Sequence, residues 1–148
     1  TYTVGKIADD ALNGNKKVTS VTIGKNIVEI GKNAFKNCTK LKKVTVKSTG
    51  ITTIGEAAFS GDKVLTSVDL SKSEVTSIGK NAFSGCAKLK TIKINGNKLE
   101  KVGKNAFKNV KKNATITILA KDKSTYNKVV KLIKKSGAKN VKYKFKKK

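Results

Sequence analysis

The chain has 148 residues, 37% of them hydrophobic, enough for one domain with a continuous core. Its formal charge is +25, from 34 basic residues against 9 acidic ones, and every basic residue is lysine. The absence of His, Trp, Met and Pro removes imidazole chemistry and large aromatic anchors, and without arginine there is no planar fork to read guanine edges, so the surface argues for solubility and diffuse attraction to polyanions.

Thr1 opens the chain without a charged-then-apolar leader, as a trimmed mature or partial chain would, which leaves export undecided. No apolar stretch approaches the roughly 20 residues needed to cross a bilayer. Residues up to Ile23 read as a degenerate copy of a unit that recurs downstream: Val4, Ile7, Ala11, Leu12, Val18, Val21 and Ile23 hold the same offsets with a spacing one residue shorter. Within it, Asp9-Asp10 reads as an acidic pair at a helix entry.

From there the unit is regular. Phe35, Phe59, Phe83 and Phe107 each follow an alanine at intervals of 24 residues, the mark of a solenoid whose units bury their apolar sides only by stacking. Each Phe closes a segment such as Ile30-Gly31-Lys32-Asn33-Ala34-Phe35 or Ile78-Gly79-Lys80-Asn81-Ala82-Phe83, with Ile27, Ile51, Val75 and Leu99 standing three positions before the Ile or Val. The segment is too short for a long helix and predicts one helical or 3-10 turn; Gly31, Gly55, Gly79 and Gly103 are expected to turn a corner at positive φ. Next come Cys38, Asp62, Cys86 and Val110, then Leu41, Leu65 and Leu89, then the alternating pairs Val44/Val46, Val68/Leu70, Ile92/Ile94 and Ile116/Ile118. Alternation in β-branched residues predicts one short strand per coil, stacked in parallel about 4.8 Å apart. About five coils fill residues 1–118.

The pattern Ile-Gly-x-x-Ala-Phe-x-x-Cys-x-x-Leu-x-x-Val-x-Ile resembles the BspA-like, or treponemal-type, leucine-rich repeats over about residues 1 to 118. Departures are Asp62 and Val110 for Cys, Asn113 for Leu and Leu12 for Phe. The resemblance implies an α/β repeat fold: a right-handed leucine-rich-repeat solenoid with one parallel sheet and short helical or 3-10 turns opposite. It further implies a place on the bacterial cell surface or outside the cell, a part in adhesion or protein binding, no catalytic residues and no cofactor.

After Ile118 the period breaks. Ser124 is the expected N-cap of a helix over about residues 125–135, whose stripe Tyr126, Val129, Val130 and Ile133 has Leu132 beside it; Ser136-Gly137 is the stop. Val141, Tyr143 and Phe145 alternate with lysines, predicting a strand over about 141–146 laid parallel to the last repeat strand. Residues 119–148 thus read as a C-terminal cap of the same structural domain.

The candidate chemistry is sparse. Cys38 and Cys86 sit two coils apart, roughly 9.6 Å between strands, beyond the roughly 7 Å limit for a bridge, so both are expected as free, buried thiols in a core with Phe35, Phe59, Phe83, Phe107, Leu41, Leu65 and Leu89. No His or further Cys completes a metal set. Gly50 to Gly55 has the glycine spacing of a phosphate loop, but Glu56-Ala57 follows where Lys and Ser/Thr are required. Asp62 replaces an interior Cys; either the Gly61-Asp62 corner swings outward, the favoured reading, or the carboxylate finds backbone N–H partners.

The outward strand residues Thr22, Thr45, Lys47, Asp69, Ser71, Lys93, Asn95 and Thr117 form the candidate binding face, with a solvated scaffold face as its competitor. From Lys123 onward there are 11 lysines and no acid. The expected function is a non-enzymatic surface or secreted module, monomeric, that binds a protein or other surface macromolecule. The alternatives are a polyanion-binding module working through its lysines, on cell-wall polymer, anionic polysaccharide or nucleic acid, and a structural spacer.

Overall fold

Successive repeat units stack so that each strand meets its own counterpart one unit later. The computed structural model describes residues 5–148. In chain order the elements are β1 (Lys6–Ile7), β2 (Ser20–Ile23), β3 (Glu29–Ile30), β4 (Lys43–Val46), β5 (Thr53–Ile54), β6 (Ser67–Leu70), β7 (Ser77–Ile78), β8 (Thr91–Asn95), β9 (Lys101–Val102), β10 (Ala114–Ala120), α1 (Lys123–Lys135) and β11 (Val141–Lys147).

The predicted alternating pairs lie in the longer strands, which build a wide parallel wall. β2 pairs with β4, and β6, β8, β10 and β11 form one sheet. Register follows the repeat: Val68 stands beside Ile92 and Ile92 beside Ile116, while Ser20 meets Lys43 in the shorter first unit. β4 and β6 remain neighbours, but the ladder is interrupted between them.

A second, narrow parallel sheet of β1, β3, β5, β7 and β9 joins the wall that was expected. Two residues carry too little alternation to read as a strand. Only the neighbouring coil, which supplies the hydrogen bonds, makes them one.

The Asn-Ala-Phe segments form a wall of turns with two bonding directions. Ala34 N–H donates to Gly31 O and Lys36 N–H to Asn33 O, both at 3.2 Å, closing turns inside the coil. The N–H groups between them reach forward: Asn33 to Glu56 O (2.9 Å), Phe35 to Ala58 O (2.8 Å) and Asn37 to Ser60 O (2.7 Å). Alternating directions require left-handed residues at two places per coil, occupied by Asp10, Asn33, Ala57, Asn81 and Asn105, and by Gly14, Asn37, Gly61, Gly85 and Asn109. Asparagine and glycine are the residues that accept this conformation at least cost.

The glycines expected at positive φ are not there. A Cβ on Gly55 would lie 2.7 Å from Ile30 O, and one on Gly79 would lie 2.5 Å from Glu56 N. Gly31, Gly55, Gly79 and Gly103 are therefore glycine because the adjacent coil's backbone passes over them. Asp9-Asp10 likewise enters no helix: Asp9 Oδ1 accepts from Lys32 N–H at 2.9 Å, joining the first coil to the second.

Inside, the four phenylalanines stack face to face with centroids 5.3, 5.3 and 5.5 Å apart. Leu41, Leu65, Leu89, Cys38 and Cys86 are buried with them, and both thiols are free. Buried serines knit the corner between the two sheets. Ser73 Oγ donates to Ser48 O and accepts from Ile51 N–H, each at 3.0 Å, and Ser48 Oγ accepts from Gly50 N–H at 3.0 Å.

At the C-terminus, α1 starts two residues earlier than expected. Its N-cap is Asp122 rather than Ser124: Asp122 has extended backbone, and its Oδ1 accepts from Thr125 N–H at 2.8 Å. Ser136 and left-handed Gly137 end the helix. Val129 and Ile133 are buried, and β11 lies parallel to β10 with Tyr143 beside Ile116. Helix and strand thereby complete about a sixth turn.

Candidate functional site

The outer face of the wide wall is a grid set by register. One row reads Thr22 beside Thr45 and, past the interruption, Asp69, Lys93, Thr117 and Lys144. A second reads Ser67, Thr91, Thr115 and Lys142. Thr22, Lys47, Asp69 and Lys93 are exposed, and Thr45 and Ser71 are half-buried.

Two of the expected face residues are withdrawn from solvent. Asn95 is only 2% exposed, and its Oδ1 accepts from Asn97 N–H at 3.0 Å. That is a turn role, the side chain standing in for a backbone acceptor. Thr117 is 7% exposed, flanked on its two sides by Lys93 and Lys144. β11 closes over a position that outward alternation alone would leave open. The usable face is thus Thr22, Thr45, Lys47, Asp69, Ser71 and Lys93, extended by Lys142, Lys144 and Lys146 of β11. These last three alternate with Val141, Tyr143 and Phe145 in the strand predicted beside the last repeat strand, and that pairing brings them onto the same face.

Asp69 is the face's one acid. Its Oδ1 accepts from the Ser71 N–H at 2.9 Å and from the Ser71 hydroxyl at 2.5 Å. Partial burial opposes its ionisation, but Ser71 and the charges of Lys93 and Lys72 outweigh that and hold the carboxyl below its ordinary range. Lys148 Nζ donates to Ser71 O at 3.0 Å, tying the chain's last residue to the same spot.

Asp62 overturns the favoured outward reading. It is fully buried, its Oδ1 accepts from Cys38 N–H at 2.8 Å, and its Oδ2 has no partner. Burial pushes the carboxyl up to about 8, against the opposing pull of the Cys38 N–H. Burial, and secondarily the Asp62 charge, pushes the Cys38 thiol to about 11. The Cys86 thiol is raised for the same reasons and donates to Phe59 O at 3.1 Å. Neither is poised as a nucleophile. Among the described residues no group of three or more His, Cys, Asp or Glu side chains is placed to hold a metal ion, and no helix is long and apolar enough to cross a membrane.

With coils, ladder and core in place, the family can be assigned. The BspA type leucine rich repeat region matches residues 5–131 in six copies. The chain belongs to that family. The match ends at residue 131, within α1 and before β11. Among solved structures, this BspA-type repeat is similar to a leucine rich cell surface protein from Faecalibacterium prausnitzii A2-165, at 29% identity and a TM-score of 0.68. The likeness covers 84% of this chain and 32% of that one, so the chain spans about a third of its relative's length. No curated protein matches. The scaffold is therefore that of a bacterial cell-surface repeat family.

Proposed function

We propose that this BspA-type repeat is a non-enzymatic interaction module, displayed on or released from the cell surface, that binds an extracellular protein on the outer face of its wide wall. The observation that carries this reading is where the coils differ. Their interior positions repeat Ala, Phe, Leu and β-branched residues nearly unchanged, whereas the outer row runs Thr22, Thr45, Asp69, Lys93, Thr117 and Lys144. A purely solvated face has no need of an acid braced by Ser71 between lysines. The test is binding of the purified chain to a panel of extracellular proteins at low and high salt. Binding that survives high salt and is lost on replacing Thr45, Lys47, Asp69 and Lys93 with alanine supports the proposal; reproducible turnover of a substrate by the chain refutes it.

A second reading has its own observation. β11 aligns Lys142, Lys144 and Lys146 on the outward side, with Lys93 two strands away in the Lys144 row. A linear polyanion laid along that edge would bind by counterion release, with affinity falling steeply in salt. Loss of dextran sulfate binding in a Lys142→Gln, Lys144→Gln, Lys146→Gln variant supports it.

A further inference from the structure

We propose that the cleft between the last coil's turn and the loop after α1 is a binding site for a phosphate or sulfate group, separate from the wide-wall face. The reasoning starts from the direction of the turn-wall ladder. In every coil the forward-reaching N–H groups find carbonyls one coil later: Phe59 donates to Ala82 O, Phe83 to Ala106 O and Gly85 to Lys108 O, each at 2.8 Å. The rail therefore ends with donors at the C-terminal side. Asn105 N–H is taken by Ser136 O at 2.9 Å, because the end of α1 lies where the next turn would be. The next two donors, Phe107 and Asn109, have no acceptor within reach among the described residues.

The chain past Gly137 bends away and rejoins only where Asn113 N–H donates to Asn140 O at 2.7 Å. Between those two anchors lies a cleft of about 550 Å³, within the usual range for ligand sites. Lys108, Lys112 and Lys139 line it, together with Asn105, Asn109 and Asn140, and no carboxylate does. Of the lining asparagines, Asn105 has its N–H taken by Ser136 O, whereas the Asn109 N–H is left open. Three lysines and the open Asn109 main-chain donor suit the charge and the acceptors of a tetrahedral oxyanion. The chemistry is the same whether the group is a free ion or an ester carried on a polymer.

The test is a titration of the 15N-labelled chain, followed by amide spectra at fixed ionic strength, with inorganic phosphate, inorganic sulfate and dextran sulfate as separate probes. Saturable shifts centred on Asn109 are expected. Lys108→Gln, Lys112→Gln and Lys139→Gln together should weaken binding by at least about tenfold, since hydrogen bonds to charged groups carry at least that much. Removing the same charge at exposed Lys25, Lys40 and Lys63 should change affinity by less than about twofold, the residue of screened long-range attraction. Equal strength for the inorganic ions and dextran sulfate assigns the site to free ions, whereas much tighter dextran sulfate binding on the same amides assigns it to polymer esters. Shifts that do not saturate, that fall on β11 instead, or that respond equally to both lysine sets overturn the proposal. The protein-binding reading of the wide-wall face is unaffected by that outcome, because its variants and its protein probes are different.

Discussion

Replacing Asp62 by asparagine should remove most of this protein's dependence of stability on pH between about 4 and 8. The folded carboxyl titrates near 8 against an ordinary 3.8. The native state therefore binds one more proton than the unfolded state throughout that window, and stability falls as pH rises through it. At about 1.4 kcal/mol per tenfold change in ionisation, the fall reaches on the order of 5 kcal/mol by pH 8, comparable with the whole stability of a marginal domain. Little else titrates there. The chain has no histidine, both thiols are pushed upward, and Asp9, Asp69 and Asp122 are held below their ordinary range. The contributions of those three are fully present above about pH 4 and are lost only at lower pH, as each carboxyl is protonated.

Asparagine keeps an oxygen for the Cys38 N–H, 2.8 Å away in the native protein, and carries no charge. Urea unfolding at fixed ionic strength with reductant, from pH 4 to 8.5, should show the variant near or below the parent at the acid end. At the alkaline end the variant should be at least about 2 kcal/mol more stable, allowing for relaxation around the ionised parent. A parent whose stability is flat or rises across the window, or a parent-variant difference independent of pH, refutes the burial argument. The same junction of coils is where the wide ladder is interrupted between β4 and β6, so exchange of β4 amides offers a second reading of the same event.

Three further outcomes follow from the coil geometry. Ala57 is left-handed at a place where its counterparts are asparagine, so Ala57→Asn should raise stability by about 0.5–1 kcal/mol, read as a melting temperature higher by a few degrees. Gly79→Ala should destabilise although its φ is ordinary, because the new Cβ meets Glu56 N at 2.5 Å; a variant that melts with the parent refutes the close approach. Phe83→Ala opens the middle of the aromatic stack and should cost about 3–5 kcal/mol by denaturant unfolding.

Much of this architecture is legible in the chain because repetition turns local signals into long-range ones. The recurrence of Ala-Phe every 24 residues places Phe59 between Phe35 and Phe83 before any contact is known, and the pairs Val68/Leu70 and Ile92/Ile94 give register as well as strands. The same logic fails where a residue's role depends on the coil above it. Gly55 reads as a corner glycine, yet its reason is Ile30 O one coil back. Ser73 carries no signal in the repeat pattern, yet it bonds Ile51 and Ser48. Neither partner is near in sequence.

The candidate face divides in the same way. Alternation alone assigns Thr45, Lys47, Asp69 and Lys93 to the outer side, since period-2 geometry is local. Whether such a residue then meets water depends on its neighbours, which is why Thr117 is covered and Asn95 is turned to its own backbone. By itself, the sequence determined the repeat, the stacked core and the charge of the surface, because each is a property of composition and spacing. Only the tertiary structure decided that Asp62 faces inward, that two-residue strands form a second sheet, and that the turn ladder ends in open donors beside three lysines. Those features exist only between coils, where hydrogen bonds and burial are set by a neighbour 24 residues away.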